Sequence, residues 1–425
     1  MTILVFLGSL LAAMALGMPI AYALLVSGAA LMWHLNMMDT QILAQNLING
    51  ADSFPLLAVP FFMLAGEIMN VGGLSKRIVN LALALVGHLR GGLGFVTILA
   101  AVMMAALSGS AVADTAALAA LLLPMMIKAG HNKATAGGLI ASAGIIAPVI
   151  PPSIGFVIFG VAANLSIGKL FMAGIVPGLM MGVAIAIAWF FVVRSENVTP
   201  PPKASRAEKW AALTQSTWAL FLPVIVLVGL KMGVFTPTEA AVVAAVYALF
   251  VAVVVYREMT LAQVVPVFVS AAKTTAVIMF LVAAAMVSAW LITVAQVPQQ
   301  MISLLQPFMD SPTLLLIVIM LLVIAVGTAM DMTPTILILT PVLMPVIKAA
   351  GIDPIYFGVL FIINCAIGLI TPPVGTVLNV VAGVGKMKMD DVTRGVLPFM
   401  VAQLVVLFLL VLFPQLVLWP LKLFY

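Results

Sequence analysis

The chain has 425 residues, of which 65% are hydrophobic and only 7% charged, with a formal net charge of +5. A soluble domain carries about 25% charged residues, and no polar face exists here to cover a soluble core of this size. The balance excludes a soluble globular protein, and the single cysteine, Cys365, excludes an internal disulfide and a cysteine-built metal cage.

Apolar runs of membrane-spanning length follow one another along the chain. Residues 3–33 contain no Lys or Arg, lack the basic start of a signal peptide and predict a first spanning helix. With a second span at 54–73 they give scaffold helices over 1–73. The stretch 74–90 is less apolar. Leu74, Ile78, Leu81, Leu85 and Leu89 recur at helical spacing opposite Lys76, Arg77 and Asn80, the pattern of an interfacial amphipathic helix or of a plain connecting one. Two short apolar segments, 92–107 and 111–127, are joined only by Ser108-Gly109-Ser110. A span needs about 20 residues and a loop that emerges into water. The stretch 92–129 therefore predicts a helical hairpin that enters and leaves by one face. A helix over 132–166 is broken at Pro151-Pro152, because proline removes a backbone donor and clashes with the preceding turn. A helix over 170–193 follows, then a linker, 194–210, containing Pro200-Pro201-Pro202. An additional helix spans 211–232. Scaffold helices over 235–295, a second interfacial helix over 297–311, a second hairpin over 312–348, a second broken helix over 353–385 with Pro372-Pro373, and a last helix over 395–424 complete the chain.

The two halves repeat. An offset of 218 aligns Pro19 with Pro237, Phe62 with Phe280, and Gly109-Ser110-Ala111 with Gly327-Thr328-Ala329. After three extra residues in the second hairpin, an offset of 221 aligns Gly130 with Gly351, both proline pairs, Gly174 with Gly395, and Pro177 with Pro398. The repeats cover 1–193 and 235–425. Four crossings in each would leave both the same way up, so the unmatched helix at 211–232 adds a crossing and inverts the second. With a cytoplasmic N-terminus, 14 of the 18 Lys and Arg residues lie inside and four, Lys169, Lys231, Lys348 and Lys422, lie outside. The C-terminus is then periplasmic. The fold expected is an all-α polytopic membrane protein of two inverted repeats, each with a re-entrant hairpin and a broken helix.

Opened helices are tolerated in hydrocarbon only where the freed backbone is buried in protein or lines a cavity. Interrupted segments at matching places in two halves point to a transporter's binding site. Glycines let the tips turn carbonyls inward, and carbonyls with hydroxyls suit a sodium ion. One candidate cation site takes Ser108, Gly109 and Ser110 with Gly144, Ala147 and Pro148. The other takes Gly327, Thr328 and Met330 with Gly368 and Thr371. Close packing of small residues is the competing account of both. Intramembrane acids are few and costly. Asp114 fits a cap in the first turn after tip one. Asp331 is open between cation ligand, proton carrier, substrate contact and a tip acid making local hydrogen bonds. Thr115, Ser153, Thr333, Thr376 and Asn379 flank the same region and would hold an organic anion beside helix N-termini. No Lys or Arg lies there, so an anion would depend on helix ends and bound cations. His34, His88 and His131 have no ligand spacing, and no nucleophile, Walker or Rossmann pattern is present, which argues against an enzyme and a cofactor.

At these residues the chain resembles a known family. Pro55-Leu56-Leu57-Ala58-Val59-Pro60-Phe61-Phe62-Met63-Leu64-Ala65-Gly66-Glu67, Leu107-Ser108-Gly109-Ser110-Ala111-Val112-Ala113-Asp114-Thr115, Pro148-Val149-Ile150-Pro151-Pro152-Ser153 and Thr371-Pro372-Pro373-Val374-Gly375 resemble the large membrane subunit of TRAP (tripartite ATP-independent periplasmic) transporters. The whole chain is similar to the separately encoded large subunit of sialic-acid TRAP systems, whose motifs C4-dicarboxylate members share. The resemblance implies a sodium-driven importer of a small organic anion, sialic acid favoured, in the bacterial inner membrane. It implies an elevator, in which hairpins and broken helices slide against a scaffold. It implies two partners, a small four-helix membrane subunit and a periplasmic substrate-binding protein, and no nucleic acid. A proton-coupled or stand-alone organic-anion carrier is the alternative.

Overall fold

A computed structural model describes residues 2–196 and 198–424. Every regular element among them is helical, and eight helices are long and apolar enough to cross a membrane. The first apolar run is not one helix. α1 (Thr2–Ala15) ends at a turn in which Gly17 takes φ +82°, and α2 (Ile20–His34) starts behind Pro19 and packs back on α1. Glycine supplies the left-handed turn and proline cannot extend the preceding helix. The expected span over 3–33 is therefore two helices of about 21 Å each.

Residues 34–53, with no expected element, hold α3 (Thr40–Ala51), whose first turn is capped by Asp39 accepting from the backbone N–H groups of Gln41 and Ile42. A 3-10 turn, Phe54–Leu57, leads into α4 (Ala58–Val71). α5 (Leu74–Val86) is the amphipathic segment. α6 (Gly92–Ser108) and α7 (Ala111–Lys128) form the first hairpin. α8 (Lys133–Gly144) and α9 (Ile154–Ala163) are the two limbs of the first broken helix, and α10 (Ile167–Val192) follows. α11 (Arg206–Lys231) opens with a capping box from Ser205 and Glu208, so the expected linker over 194–210 ends five residues earlier, at Ser205.

The second half holds α12 (Pro237–Phe250), prolonged by a π turn at Val251–Val255, and α13 (Leu261–Val294), which runs unbroken for 34 residues. α14 (Val297–Leu305), α15 (Pro312–Gly327), α16 (Met332–Ala349), α17 (Pro354–Gly368), α18 (Thr376–Gly385), α19 (Met389–Leu412) and α20 (Gln415–Phe424) complete it. The last expected span, 395–424, starts six residues earlier and divides at Phe413-Pro414, where proline again stops the helix.

α5 turns Leu74, Ile78 and Leu81 onto α6 and α11, leaving Leu85 and Leu89 exposed, so most of its apolar face is covered by protein. α4 packs on α12, and α2 and α3 pack on α13. A second group gathers α8, α10 and α17 around α19. Trp189 on α10 is fully buried at its centre, donating from Nε1 to the Gly91 carbonyl (2.9 Å), with its ring 5.3 Å from His131 and 6.3 Å from Phe399. The halves interlock: α9 lies on α16, and α18 lies on α7. Loops expected on the inner side meet one another, Arg90 Nη2 donating to the Arg194 carbonyl (3.2 Å) and Lys133 Nζ to the Lys386 carbonyl (3.2 Å). Thr238 Oγ1 donates to the Phe54 carbonyl (3.2 Å), joining two loops expected on the outer side.

Candidate functional site

α6 ends because Gly109 adopts φ +62°, which glycine alone takes without strain. Ser110 caps α7, accepting from the Ala113 N–H (3.4 Å), and its own N–H donates to Ser108 Oγ (3.2 Å). Ser108 Oγ in turn donates to Asp114 Oδ1 (2.5 Å). Asp114 thus closes tip one from inside, buried at 1% exposure, and its Oδ2 has no hydrogen-bond partner. Thr115 is buried too, with Oγ1 unpartnered.

The first break begins after Gly144. Residues 145–153 leave the helix, the Pro151–Pro152 bond is cis, and Ser153 caps α9 while donating to the Pro148 carbonyl. Tip and break touch. A Cβ on Gly109 would stand 2.3 Å from the Pro152 carbonyl oxygen, and one on Gly144 would stand 1.8 Å from Thr115 Oγ1. Two glycines therefore bring the tip, the start of α7 and the break together. The unpartnered Thr115 Oγ1, Asp114 Oδ2 and Ser142 Oγ leave buried oxygens along this stretch unsatisfied, the kind of group a cation would stabilise. No group of three His, Cys, Asp or Glu side chains gathers among the described residues. A cation here would rest mainly on carbonyl and hydroxyl oxygens, which suits sodium.

Tip two is built differently. α15 ends at Gly327, and the three extra residues of the second hairpin fall at Thr328, Ala329 and Met330, so the expected pairing of Ser110 and Ala111 with Thr328 and Ala329 gives way to one of Ser110 with Asp331. Asp331 then stands at the N-cap of α16, the place Ser110 has on α7. Its Oδ1 accepts from Thr376 Oγ1 (3.1 Å), tying tip two to the start of α18. The Thr328 carbonyl accepts from the Val374 N–H (3.3 Å), and Thr328 Oγ1 donates to the Ala325 carbonyl (2.7 Å). Gly327 and Gly368 meet backbone to backbone: a Cβ on either would lie 3.1–3.2 Å from the other's Cα. Thr371 Oγ1 donates to the Ile367 carbonyl (2.8 Å), and Asn379 Nδ2 to the Val374 carbonyl (2.8 Å). The break itself, 369–375, has a cis Pro372–Pro373 bond.

Tip one opens on a cavity of about 410 Å³, which tip two reaches at Asp331; Gly327, Thr328, Met330, Gly368 and Thr371 do not line it. Gly109, Ser110, Asp331 and Thr333 line it, and Pro148 and Leu369 bring both breaks to its wall. Ala111–Ala113 of α7, Ile154 and Gly155 of α9, and Met332 and Thr333 of α16 also line it, so the first turns of three helices face the space. Helix N-termini carry free N–H groups and partial positive charge, which favours an anion. Asp114, Thr115, Ser153, Thr376 and Asn379 do not line this cavity; the first three lie buried behind it, and the last two hold the second break. Met63 and Glu67 of α4 and Thr274 and Ile278 of α13 complete the lining, with Met63 and Glu67 next to Ser110 and Ala113. Glu67 could be read in the sequence as an intramembrane acid, but no local pattern marks Thr274, because only the crossing of α4 over α13 places it there.

The family described as "Tripartite ATP-independent periplasmic transporter, DctM component" matches residues 7–416. The chain belongs to this family. It is 61% identical over 422 residues to the 2,3-diketo-L-gulonate TRAP transporter large permease protein YiaN of Escherichia coli (strain K12), covering 99% of both chains. It is 41% identical over 399 residues to the sialic acid TRAP transporter large permease protein SiaM of Vibrio cholerae, covering 94% of this chain and 93% of that one. A C4-dicarboxylate TRAP transporter large permease protein, DctM of Pseudomonas aeruginosa, is 40% identical, covering 88% and 87%. Among solved structures, the YdaH transporter of Alcanivorax borkumensis has the same fold, with a TM-score of 0.60 at 17% identity over 87% of this chain and 86% of that one. The TRAP large permease is a multi-pass membrane transporter and not an enzyme.

Proposed function

We propose that this TRAP large permease imports a small organic anion by sodium symport. Tip one with the first break and tip two with the second each hold a sodium ion. The anion sits between them, its carboxylate on the first turns of α7, α9 and α16. One observation carries the reading: hairpins and opened helices from both halves meet at a single cavity that has helix N-termini in its wall and no Lys or Arg. Without a fixed cation, binding of the anion depends on the two sodium ions. The relative at 61% identity moves the favoured substrate from sialic acid to a keto sugar acid of the 2,3-diketo-L-gulonate type.

Transport runs as an elevator. The hairpins and broken helices move against a scaffold of α2, α4, α12 and α13. The periplasmic binding protein that delivers the substrate and the small membrane subunit are the partners, and the inner membrane is the site. The division of 3–33 into α1 and α2 changes the crossing count. With α1 and α2 counted as separate crossings, each shorter than a usual span, they, α3 with α4, the first broken helix and α10 make five, so the second half is inverted without an added helix. The offset of 218 then sets most of α1 beside the end of α11, its counterpart. Keeping the same basic loops inside puts the N-terminus on the outer side.

The test is uptake into vesicles containing this chain, its small subunit and candidate binding proteins. Labelled 2,3-diketo-L-gulonate, sialic acid and a C4-dicarboxylate are compared with and without a sodium gradient at fixed pH. The proposal expects uptake of the sugar acid only with sodium. Uptake that follows pH at fixed sodium would favour the proton-coupled alternative, with Asp331 and Glu67 as the carboxylates in the cavity.

A further inference from the structure

We infer that a groove between α5 and α11 binds an anionic phospholipid of the cytoplasmic leaflet, its phosphate on Arg206 and Lys209 and an acyl chain against Leu81, Leu85 and Leu213. The two helices are fastened at one end of their contact. Ser216 Oγ on α11 donates to the Arg77 carbonyl of α5 (2.9 Å). The Arg77 side chain is tied to Glu258 (2.7 Å) and lies over the Tyr256 ring, 3.7 Å from its centre. Toward the start of α11 and the end of α5 the helices leave a groove of about 220 Å³. Leu81, Leu85 and Leu213 make it apolar, and Arg206, Lys209 and Trp210 complete its lining. Leu85, part of the apolar face of α5, is left exposed by the protein.

The two cations are uncommitted: among the described residues, the Arg206 and Lys209 side chains make no hydrogen bond or ion pair. The acids near them are engaged elsewhere. Glu208 accepts from the Ser205 N–H (2.6 Å), and Glu258 is held by Arg77. The missing partner is therefore an anion. The groove lies on the side that the basic loops assign to the cytoplasm, where the leaflet carries acidic lipids. Trp210 is exposed beside it, as an indole is at the headgroup boundary. From there α11 continues with an exposed apolar stripe, Leu213, Phe221, Val224 and Val228, which that depth places in hydrocarbon. Arginine pairs phosphate oxygens with its planar fork, and lysine reaches them on a flexible apolar stem. A soluble anion would leave the leucines bare, and a neutral lipid would leave the cations unpaired. A lipid that satisfies both covers Leu85 and braces α5 on α11.

The experiment uses this chain with its small membrane subunit, purified in detergent. Native mass spectrometry follows binding of dioleoylphosphatidylglycerol at graded concentrations. Dioleoylphosphatidylcholine tests the headgroup, and glycerol phosphate tests the need for chains. The variants are Arg206→Gln with Lys209→Gln, the charge-keeping swap Arg206→Lys with Lys209→Arg, and a control pair on the same side, Lys128→Gln with Lys388→Gln. The wild type is expected to hold phosphatidylglycerol in preference to phosphatidylcholine. The neutralised pair is expected to bind it about ten- to thirty-fold more weakly, while the swap and the control stay close to wild type. Equal weakening in the neutralised and control pairs would overturn the assignment, since overall charge then explains it. So would equal binding of phosphatidylcholine, or displacement of the lipid by glycerol phosphate. Loss of the small subunit from the neutralised pair would also overturn it, because the groove would then be a protein contact. The headgroup comparison is made on the wild type, so it decides even if a variant fails to fold.

Discussion

The contact between Gly144 and Thr115 offers a direct handle on cation site one. A methyl group at Gly144 would stand 1.8 Å from Thr115 Oγ1, 3.0 Å from its Cβ and 3.3 Å from its Cα. Rotating the hydroxyl away relieves only the first, so α7 and α8 must part. Overpacking a close-packed interior costs about 1–3 kcal/mol. Thr115 lies on α7 just after the tip-one cap Ser110, so the parting moves tip one from the first break. If both must hold one ion, the cost appears in sodium affinity. At 1.4 kcal/mol per ten-fold, Gly144→Ala raises the half-saturating sodium concentration by roughly 5- to 150-fold. Thr115→Ala removes the closest atom, so adding Gly144→Ala in that background costs less than adding it to the wild type. This is a double-mutant cycle with coupling of the sign that contact predicts. The assay is initial uptake against sodium concentration at saturating substrate. A Gly144→Ala variant with wild-type sodium half-saturation, or equal costs in the two backgrounds, would refute the reasoning.

Three further changes probe separate parts of the account. Ser108→Ala leaves the buried Asp114 carboxylate without its hydrogen-bond donor, and should cost about 1–3 kcal/mol in stability, read as a lower melting temperature in detergent, together with weaker sodium dependence. Asp331→Asn keeps an acceptor for Thr376 but removes the charge facing the cavity, so transport should slow strongly while melting temperature changes little; unchanged transport would reduce Asp331 to a tie between tip two and α18. Trp189→Phe loses the hydrogen bond to the Gly91 carbonyl and some ring area, costing about 1 kcal/mol or more in a thermal melt, without altering substrate preference.

The features that break regularity were the ones legible in the sequence. Proline pairs and small-residue tips mark both breaks and both hairpins, because proline and glycine act locally. The three-residue shift between offsets finds its place at Thr328-Ala329-Met330, where tip two is longer than tip one. Gly17-Met18-Pro19 carried the same kind of mark within the first apolar run. Continuous hydropathy across that run concealed the turn, as it did at Phe413-Pro414 near the end. α3 carries no hydropathy signal because its polar residues dilute the apolar ones, although Asp39 is an ordinary N-cap signal. Of the candidate substrate residues, only Asp331 and Thr333 reach the cavity; Ser110, read as a cation ligand, does too. Spacing along a helix tells which residues share a face, but the side of a tip that faces ligand is set by the other half of the molecule. Thr274 is the plainest case, brought to the site by a crossing between α4 and α13 that no local signal encodes.

The measurement closest to the central claim is a density map of the reconstituted complex with sodium and substrate bound. The account predicts opened backbone over residues 145–153 and 369–375, one cation density at each tip, and an organic anion among the first turns of α7, α9 and α16. Continuous helices through both proline pairs, or an anion held away from both tips, would contradict it.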